Sequence, residues 1–282
     1  MRPRNPARRG AYYLASMRIL PLIALFSLAA AGPAAAQAAA QAATRPAAAP
    51  ARRPALPAVP FGPGERLDFA VEYGVVPAGT MTIRVDDLVT YSGRQAYHIV
   101  FSARSNSAVS FLYELNTAEE SWFDAREFYS LAYTRRSTEN DETRNRSYRF
   151  DQQRRLRITA NGESQPASPR AVDQLAMMYY IRMLPLKPGA SFRLQNQADP
   201  DDNPLTIKVL KQERIRVPGG TFDTYVLQLD VRTDSGVFRK GGDNRVWITT
   251  DARRLPVKLT SKIGLGNFEA SLVDYTRGRA LD

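Results

Sequence analysis

Residues 66–85 read RLDFAVEYGVVPAGTMTIRV, and this stretch sets the pattern for most of the chain. Large apolar side chains occupy every second position on both sides of a Gly- and Pro-containing break: Leu67, Phe69, Val71 and Tyr73, then Met81, Ile83 and Val85. Period-two patterning predicts strands with one apolar face and one solvated face, as in antiparallel sheets. The stretch therefore favours two strands joined by a short turn.

The same alternation recurs toward the C-terminus, at 97–101, 148–150, 156–158, 205–209, 225–231, 255–263 and 268–272. Turn-forming residues separate these segments, including Ser-Gly at 92–93, Asn-Gly at 161–162 and Pro-Gly-Gly at 218–220. The sequence predicts a mostly β fold: a single antiparallel curved sheet or open β-barrel of about 11–12 strands with one buried α-helix.

The predicted helix runs from Val172 to Leu184, ahead of Pro185. Its apolar residues cover most of the helix surface, so it should be buried on most sides. Two interpretations stay open: the helix fills the core, or it forms a lid over a cavity for an apolar ligand. For the second, the candidate ligand-binding residues are Leu175, Met178, Tyr179, Ile181, Trp122 and Trp247.

The N-terminus is typical of an export signal. Arginines precede an apolar run at 19–31, which ends in small residues before Gln37. We expect a signal peptide over 1–36, a disordered Ala/Pro-rich linker over 37–60, and one folded domain over 61–282. Translation from Met17, twin-arginine export through Arg8-Arg9 and an uncleaved anchor helix are alternatives. The expected location is the periplasm. Because the chain has no cysteine, we expect no lipid attached through an N-terminal cysteine.

The net charge of +11 is concentrated near the N-terminus. The first 60 residues carry eight arginines and no acidic residue, which leaves 31 basic against 28 acidic side chains in the remainder. A nucleic-acid interface needs basic charge on the folded surface. We therefore expect no nucleic-acid partner.

Residues that carry catalysis or bind metals are scarce. With no cysteine and a single histidine, His98, thiolate chemistry and multi-histidine zinc sites are excluded. Asp199-Pro200-Asp201-Asp202-Asn203 fits a solvated turn or a Ca²⁺ loop. Glu119, Glu120 and Asp124 are a candidate glycosidase set, for which sequence gives no carboxylate separation. We expect no catalytic residue, no cofactor and no metal.

The stretch from 135 to 157 contains eight arginines and only four acidic residues. Guanidinium groups on a hairpin suit phosphate or carboxylate. The candidate contacts to an anionic group are Arg146, Arg149, Arg155 and Arg157. The alternative is a solvated edge hairpin whose charge blocks aggregation.

Four motifs in order resemble an uncharacterised bacterial envelope family, domain of unknown function 3108. They are FGPGERL at 61–67, DQL with YYIR at 173–182, PGGTFD at 218–223, and VWIT with RRLPV at 246–257. The last stretch is also similar to periplasmic lipoprotein carriers, whose half-barrels hold acyl chains against a helical lid; this is an analogy between folds.

Together these features predict an exported periplasmic, non-enzymatic protein. It would bind an apolar or amphipathic envelope molecule, such as a lipid, or assist envelope assembly. After signal cleavage we expect no integral membrane segment. The alternatives are an envelope glycan hydrolase using acidic residues and a structural partner of another envelope protein.

Overall fold

The computed structural model describes residues 55–281 apart from 108, 111–113, 141, 233–237, 239, 264 and 265. The predicted signal peptide and most of the predicted linker lie outside the described residues. The first meander contains β1 (Arg66–Tyr73), β2 (Val76–Tyr91), β3 (Arg94–Ser105), β4 (Leu115–Asp124), β5 (Ser130–Glu139), β6 (Glu142–Asp151), β7 (Leu156–Thr159) and β8 (Ser164–Pro166). Helix α1 (Gln174–Arg182) follows, and then β9 (Ser191–Leu194), a 3-10 turn (Pro200–Asp202), β10 (Leu205–Val217), β11 (Gly220–Asp230), β12 (Asn244–Thr249), β13 (Pro256–Ile263) and β14 (Gly266–Thr276).

The strands form one open, curved antiparallel sheet in the order β8-β7-β6-β5-β4-β3-β2-β1-β14-β13-β12-β11-β10-β9. The first and last strands pair at its centre, and the connection that contains α1 links its two edges, β8 and β9. The fold class is therefore confirmed. The described residues contain 14 strands rather than 11–12, because β8 and β9, with 3 and 4 residues, are too short to show alternation.

Alternation in β1 matches its burial, since Leu67 and Phe69 are each 1% exposed. Helix α1 lies against the same apolar face of the sheet, packing on β3 and β4. On the other side of the sheet centre, the backbone N–H of Gly219 in the β10–β11 turn donates to Leu272 O in β14, 2.8 Å away. This contact holds the β10–β11 turn against β14.

Helix α1 begins at Gln174, directly after Asp173. Asp173 is the N-cap, and its carboxylate accepts from the backbone N–H groups of Leu175 and Ala176 at 3.0 and 2.9 Å. Such a cap satisfies donors that the first turn leaves without partners. Arg182 closes the helix three residues before Pro185, so the observed helix is shorter than the predicted 172–184 at both ends.

A bulge in the β4–β5 pair brings two serines to the helix cap. Trp122 pairs with Ala132 while Phe123 pairs with Ser130, so one residue of β5 is extra. The extra residue reverses the alternation beyond it. As a result Ser130 joins Ser121 on the face that carries α1, and both hydroxyls donate to Asp173.

Residues 55–60 form neither helix nor strand. Leu56 and Val59 pack, half-buried, against the core, and Pro60 O accepts a hydrogen bond from Arg182. This end of the predicted linker is therefore part of the surface around α1.

Gly79 in β2 lies so close to the backbone of β3 that no Cβ fits between them. A Cβ at this position would lie 2.2 Å from the carbonyl oxygen of Arg104. We expect Gly79→Ala to lower the free energy of unfolding in urea by about 2 kcal/mol, because backbone must move to relieve the contact. Thr80→Ala, at the exposed neighbouring position, is the control and should change it by less than about 0.5 kcal/mol. Equal effects of the two changes would contradict this explanation.

Candidate functional site

The predicted ligand-binding residues of the helix form part of the core. Leu175, Tyr179 and Ile181 are 4%, 1% and 2% exposed, and Met178 is half-buried. Phe61 packs edge-on against Tyr179, with ring centroids 4.8 Å apart. These side chains are packed against protein atoms, so the helix fills the core on this side.

The two tryptophans have different surroundings. Trp122 alternates with Ser121, whose hydroxyl contacts the helix cap, so its indole lies on the opposite face, where it stacks on His98 with centroids 4.9 Å apart. Trp247 is 8% exposed and belongs to the hydrophobic core cluster, and its indole N–H donates to Glu213 at 2.6 Å. The Trp122 indole therefore does not lie beside α1, and the Trp247 indole is packed in the core.

A groove of about 650 Å³ opens at the C-terminal end of α1, and we call it the apolar groove. Its walls are formed by residues of four separate segments: Ala58, Val59, Pro60, Phe128, Tyr180, Arg182, Met183, Leu184, Pro185, Ala252 and Arg254. Most of these side chains are apolar, and the groove is open to solvent.

Two arginines line the apolar groove in different states. Arg182 is buried and forms a two-point ion pair with Glu65, at 2.6 and 2.8 Å, while its Nε is buried with no partner among the described residues. Arg254 lies over the ring of Tyr225 at 5.0 Å, and its Nη1 is buried with no partner among the described residues. Arg254 also adopts a φ of 49°, a left-handed conformation that is costly for a residue with a Cβ. Its guanidinium therefore keeps hydrogen-bonding capacity that the protein leaves unused.

A second, more polar cleft of about 350 Å³ lies near the N-terminal end of α1. We call it the arginine cleft, and its lining residues are Tyr133, Arg146, Tyr148, Phe150, Arg157, Gln165, Val172, Asp173, Gln174, Met177, Gln197, Ala198, Asp199 and Asp202. It therefore lies between β5–β8, the start of the helix and the loop after β9.

The structure brings together two of the four arginines predicted to contact an anion. Arg146 and Arg157 line the arginine cleft. Arg149 is exposed and points to the other face, because it alternates with Tyr148 and Phe150, which line the cleft. Arg155 lies in the β6–β7 turn, exposed, with a φ of 56°.

A buried polar network forms the floor of the arginine cleft. Tyr133 donates to Glu119 at 2.9 Å, and the Gln174 amide donates to both, at 3.0 Å to Glu119 and 2.6 Å to Tyr133. Beside it, burial raises the pKa of Asp173 to about 6, although hydrogen bonds from Ser121, Ser130 and the helix backbone act in the opposite direction. The floor thus holds two carboxyl groups, both 7% exposed or less.

The candidate glycosidase acids do not converge. Glu119 faces the helix, whereas its neighbour Glu120 faces the opposite side and contacts His98 Nε2 at 2.7 Å. Asp124 accepts from the backbone of Arg126 and Glu127 and pairs with Arg94. Because adjacent strand residues point to opposite faces, Glu119 and Glu120 cannot flank one glycosidic bond.

The acidic loop has a local structural role. Asp199 caps the 3-10 turn Pro200–Asp202 and pairs with Arg157 at 2.9 Å. Within the described residues, no three acidic or histidine side chains are grouped so that they could hold a metal ion.

Phe128 and Arg254 were missed as candidate site residues. They lie in the β4–β5 and β12–β13 connections, far apart in sequence, and only the paired strands bring them to the end of α1. The one sequence signal was Arg254 itself, within the RRLPV motif.

The open antiparallel sheet around one helix, with a groove at each end of that helix, defines a β-barrel-like protein. The chain belongs to the family described as Protein of unknown function (DUF3108), whose model matches residues 68–273. This confirms the resemblance seen in the four motifs.

One solved structure agrees with the fold. The chain is similar to a β-barrel-like protein of domain of unknown function DUF1849 from Brucella abortus, with 11% identity, 79% of this chain and 100% of that chain covered, and a TM-score of 0.51. A Bacteroides fragilis protein provisionally described as exported, with a YmcC-like fold, has 10% identity, coverage of 79% and 100%, and a TM-score of 0.29.

A Parabacteroides distasonis protein provisionally described as a lipoprotein has 11% identity, coverage of 80% and 100%, and a TM-score of 0.27. The curated proteins give no match. None of these descriptions names a catalytic activity. Among the described residues, no helix has the length and apolar character needed to cross a bilayer.

Proposed function

We propose that this is an exported, non-catalytic protein of the cell envelope that holds the apolar part of an amphipathic molecule in the apolar groove. The observation that carries the proposal is the groove itself: about 650 Å³, open to solvent and lined mainly by apolar side chains. Residues of the 58–60 segment, the β4–β5 connection, the end of α1 and the β12–β13 connection all contribute.

The packing of α1 supports this location over the inside of the sheet. Tyr179 and Ile181 are buried on the core side of the helix, whereas Tyr180, Met183 and Leu184 are only half-buried and line the groove. Apolar surface of this kind is stabilised by about 25 cal/mol for each Å² removed from water. An acyl or similar chain lying along these residues would supply that burial.

Arg254 supports an amphipathic ligand with an acidic head. Its Nη1 has no partner among the described residues, and a guanidinium can bind a carboxylate or phosphate through two parallel hydrogen bonds. With Arg182 already neutralised by Glu65, Arg254 is the arginine of this groove that can bind such a group.

The test is a titration of the full chain with a fluorescent fatty acid, 11-(dansylamino)undecanoic acid. We expect saturable binding, and Leu184→Asp should weaken it at least about tenfold by placing a charge in the apolar wall. Val75→Asp is the matched control, because Val75 is apolar and 91% exposed in the β1–β2 turn, outside the groove. Its affinity should equal that of the wild type.

Two results would exclude this proposal. One is a wild-type protein that binds no probe. The other is a Leu184→Asp variant that folds, as judged by its circular dichroism spectrum, and binds the probe as tightly as the Val75→Asp variant.

A further inference from the structure

Two arginines occupy opposed positions on neighbouring strands at the wall of the arginine cleft. Arg135 of β5 is directly opposite Arg146 of β6. Like charges in directly opposed positions of an antiparallel pair are destabilising. Arg135 is compensated by Glu119 at 3.6 Å and Glu139 at 3.7 Å, but Arg146 forms no ion pair with any described residue. Arg146 is exposed, so its guanidinium is open to an anion from solution.

Arg157 of β7 provides a second unmet donor in the same cleft. Its Nη1 bonds Asp199 at 2.9 Å and its guanidinium lies 5.4 Å from the centre of the Tyr148 ring. Its side chain is 13% exposed, and its Nε is buried with no partner among the described residues. A buried N–H without an acceptor is costly, so a shift of this side chain that brings the Nε to an acceptor atom would be stabilising.

The acidic groups that line the cleft are already engaged. Asp199 binds Arg157 and the backbone N–H of Asp201. Asp173 accepts from two serine hydroxyls and two helix N–H groups, and Asp202 also has a partner. These carboxylates therefore do not supply acceptors for the remaining N–H groups of Arg146 and Arg157.

We propose that the arginine cleft is a binding site for one anionic group, a phosphate or a carboxylate, held between Arg146 and Arg157. Guanidinium groups match the oxygen spacing of both anions. Tyr148 and Phe150, which lie on the same face of β6 as Arg146, would contact the apolar part of the molecule that carries the anion. This site is separate from the apolar groove and does not depend on its ligand.

The first test measures thermal unfolding of the full chain with and without inorganic phosphate, at constant ionic strength set with sodium chloride. Ligand that binds only the folded state raises the melting temperature. We expect phosphate to raise it for the wild type and for Arg149→Gln, and Arg146→Gln to lose most of this response, with affinity reduced at least about tenfold. Arg149 is the matched control because it lies on the same strand and points to the opposite face.

A second readout separates binding from a merely structural role of Arg146. In chloride alone, Arg146→Gln should melt at the same temperature as the wild type or higher, because the repulsion by Arg135 is removed. A lower melting temperature together with an unchanged phosphate response would overturn the proposal. Arg157→Lys keeps the charge but not the planar fork, and it should also weaken phosphate binding.

Further arms distinguish the source of the anion. Dihexanoyl phosphatidic acid binding more tightly than phosphate would support a lipid headgroup, and equal affinities would support a free anion. A rise in melting temperature with hexanoate would show that the site also accepts a carboxylate. Leu184→Asp, which changes only the apolar groove, should keep the phosphate response, so failure of one site is not failure of the other. A wild type that responds to none of these anions would overturn the proposal.

Discussion

Replacing Arg182 with leucine is expected to lower the free energy of unfolding by about 3–5 kcal/mol, the range found when one partner of a buried ion pair is removed. The Arg182 side chain is 1% exposed and that of Glu65 is 4% exposed. Burial acts against the charged form, yet Glu65 raises the pKa of Arg182, so the guanidinium stays charged. In the variant, the Glu65 carboxylate remains buried without its cation.

The loss extends beyond the ion pair. Arg182 also donates to the backbone carbonyls of Pro60 and Arg253, at 3.1 and 3.0 Å. These contacts join the end of α1 to the segment before β1 and to the β12–β13 connection. Both segments form walls of the apolar groove, so the variant should bind the fluorescent fatty acid more weakly as well.

Urea unfolding of the full chain measures the first effect. Arg84→Leu is the control, since it breaks an exposed ion pair with Asp86 and should cost less than about 1 kcal/mol. The double change Glu65→Leu with Arg182→Leu should regain part of the loss, because no buried charge then lacks a partner. If Arg182→Leu costs no more than Arg84→Leu, the ion pair does not stabilise the fold.

Much of the fold follows from local patterns in the sequence. Alternation marks the long strands because each has one face against the core, and the helix is visible because its spacing changes to 3.6. The short edge strands β8 and β9 span too few residues for alternation to mark them. Their place is determined by pairing with β7 and β10, which no local pattern encodes.

The candidate site was harder to predict because alternation groups side chains by face without saying which face meets the helix. Trp122 is an example: Ser121, a small polar neighbour, lies toward α1 while the large indole lies on the opposite face. For the arginines, the same rule separates Arg149 from Arg146. The opposition of Arg146 and Arg135 needed the register of the β5–β6 pair, which no local pattern encodes.

A second large effect is expected from pH, through Asp173. Burial raises the pKa of this carboxyl to about 6 in the folded protein, against about 3.9 in an unfolded chain. The folded state therefore binds the proton more tightly, and the stability from this group is fully present below about pH 4. It is lost as the pH rises through 6, by about 3 kcal/mol for a shift of about two pKa units.

Asp173→Asn removes this titration while keeping a residue that caps helices well. Measured by urea unfolding, the stability of the wild type relative to Asp173→Asn should fall by about 2–3 kcal/mol between pH 4.5 and pH 7.5.

Asp68 is the control with the opposite sign. Although burial opposes it, hydrogen bonds from Arg66 and Thr82 lower the pKa of Asp68, so its stabilisation is present above pH 4 and is lost only as the pH falls further. The wild type relative to Asp68→Asn should therefore change little between pH 4.5 and pH 7.5. If the stability of the wild type relative to Asp173→Asn did not change over this pH range, the explanation would be wrong. Asp173 would then be ionised in the folded protein at little cost, stabilised by its four hydrogen-bond donors.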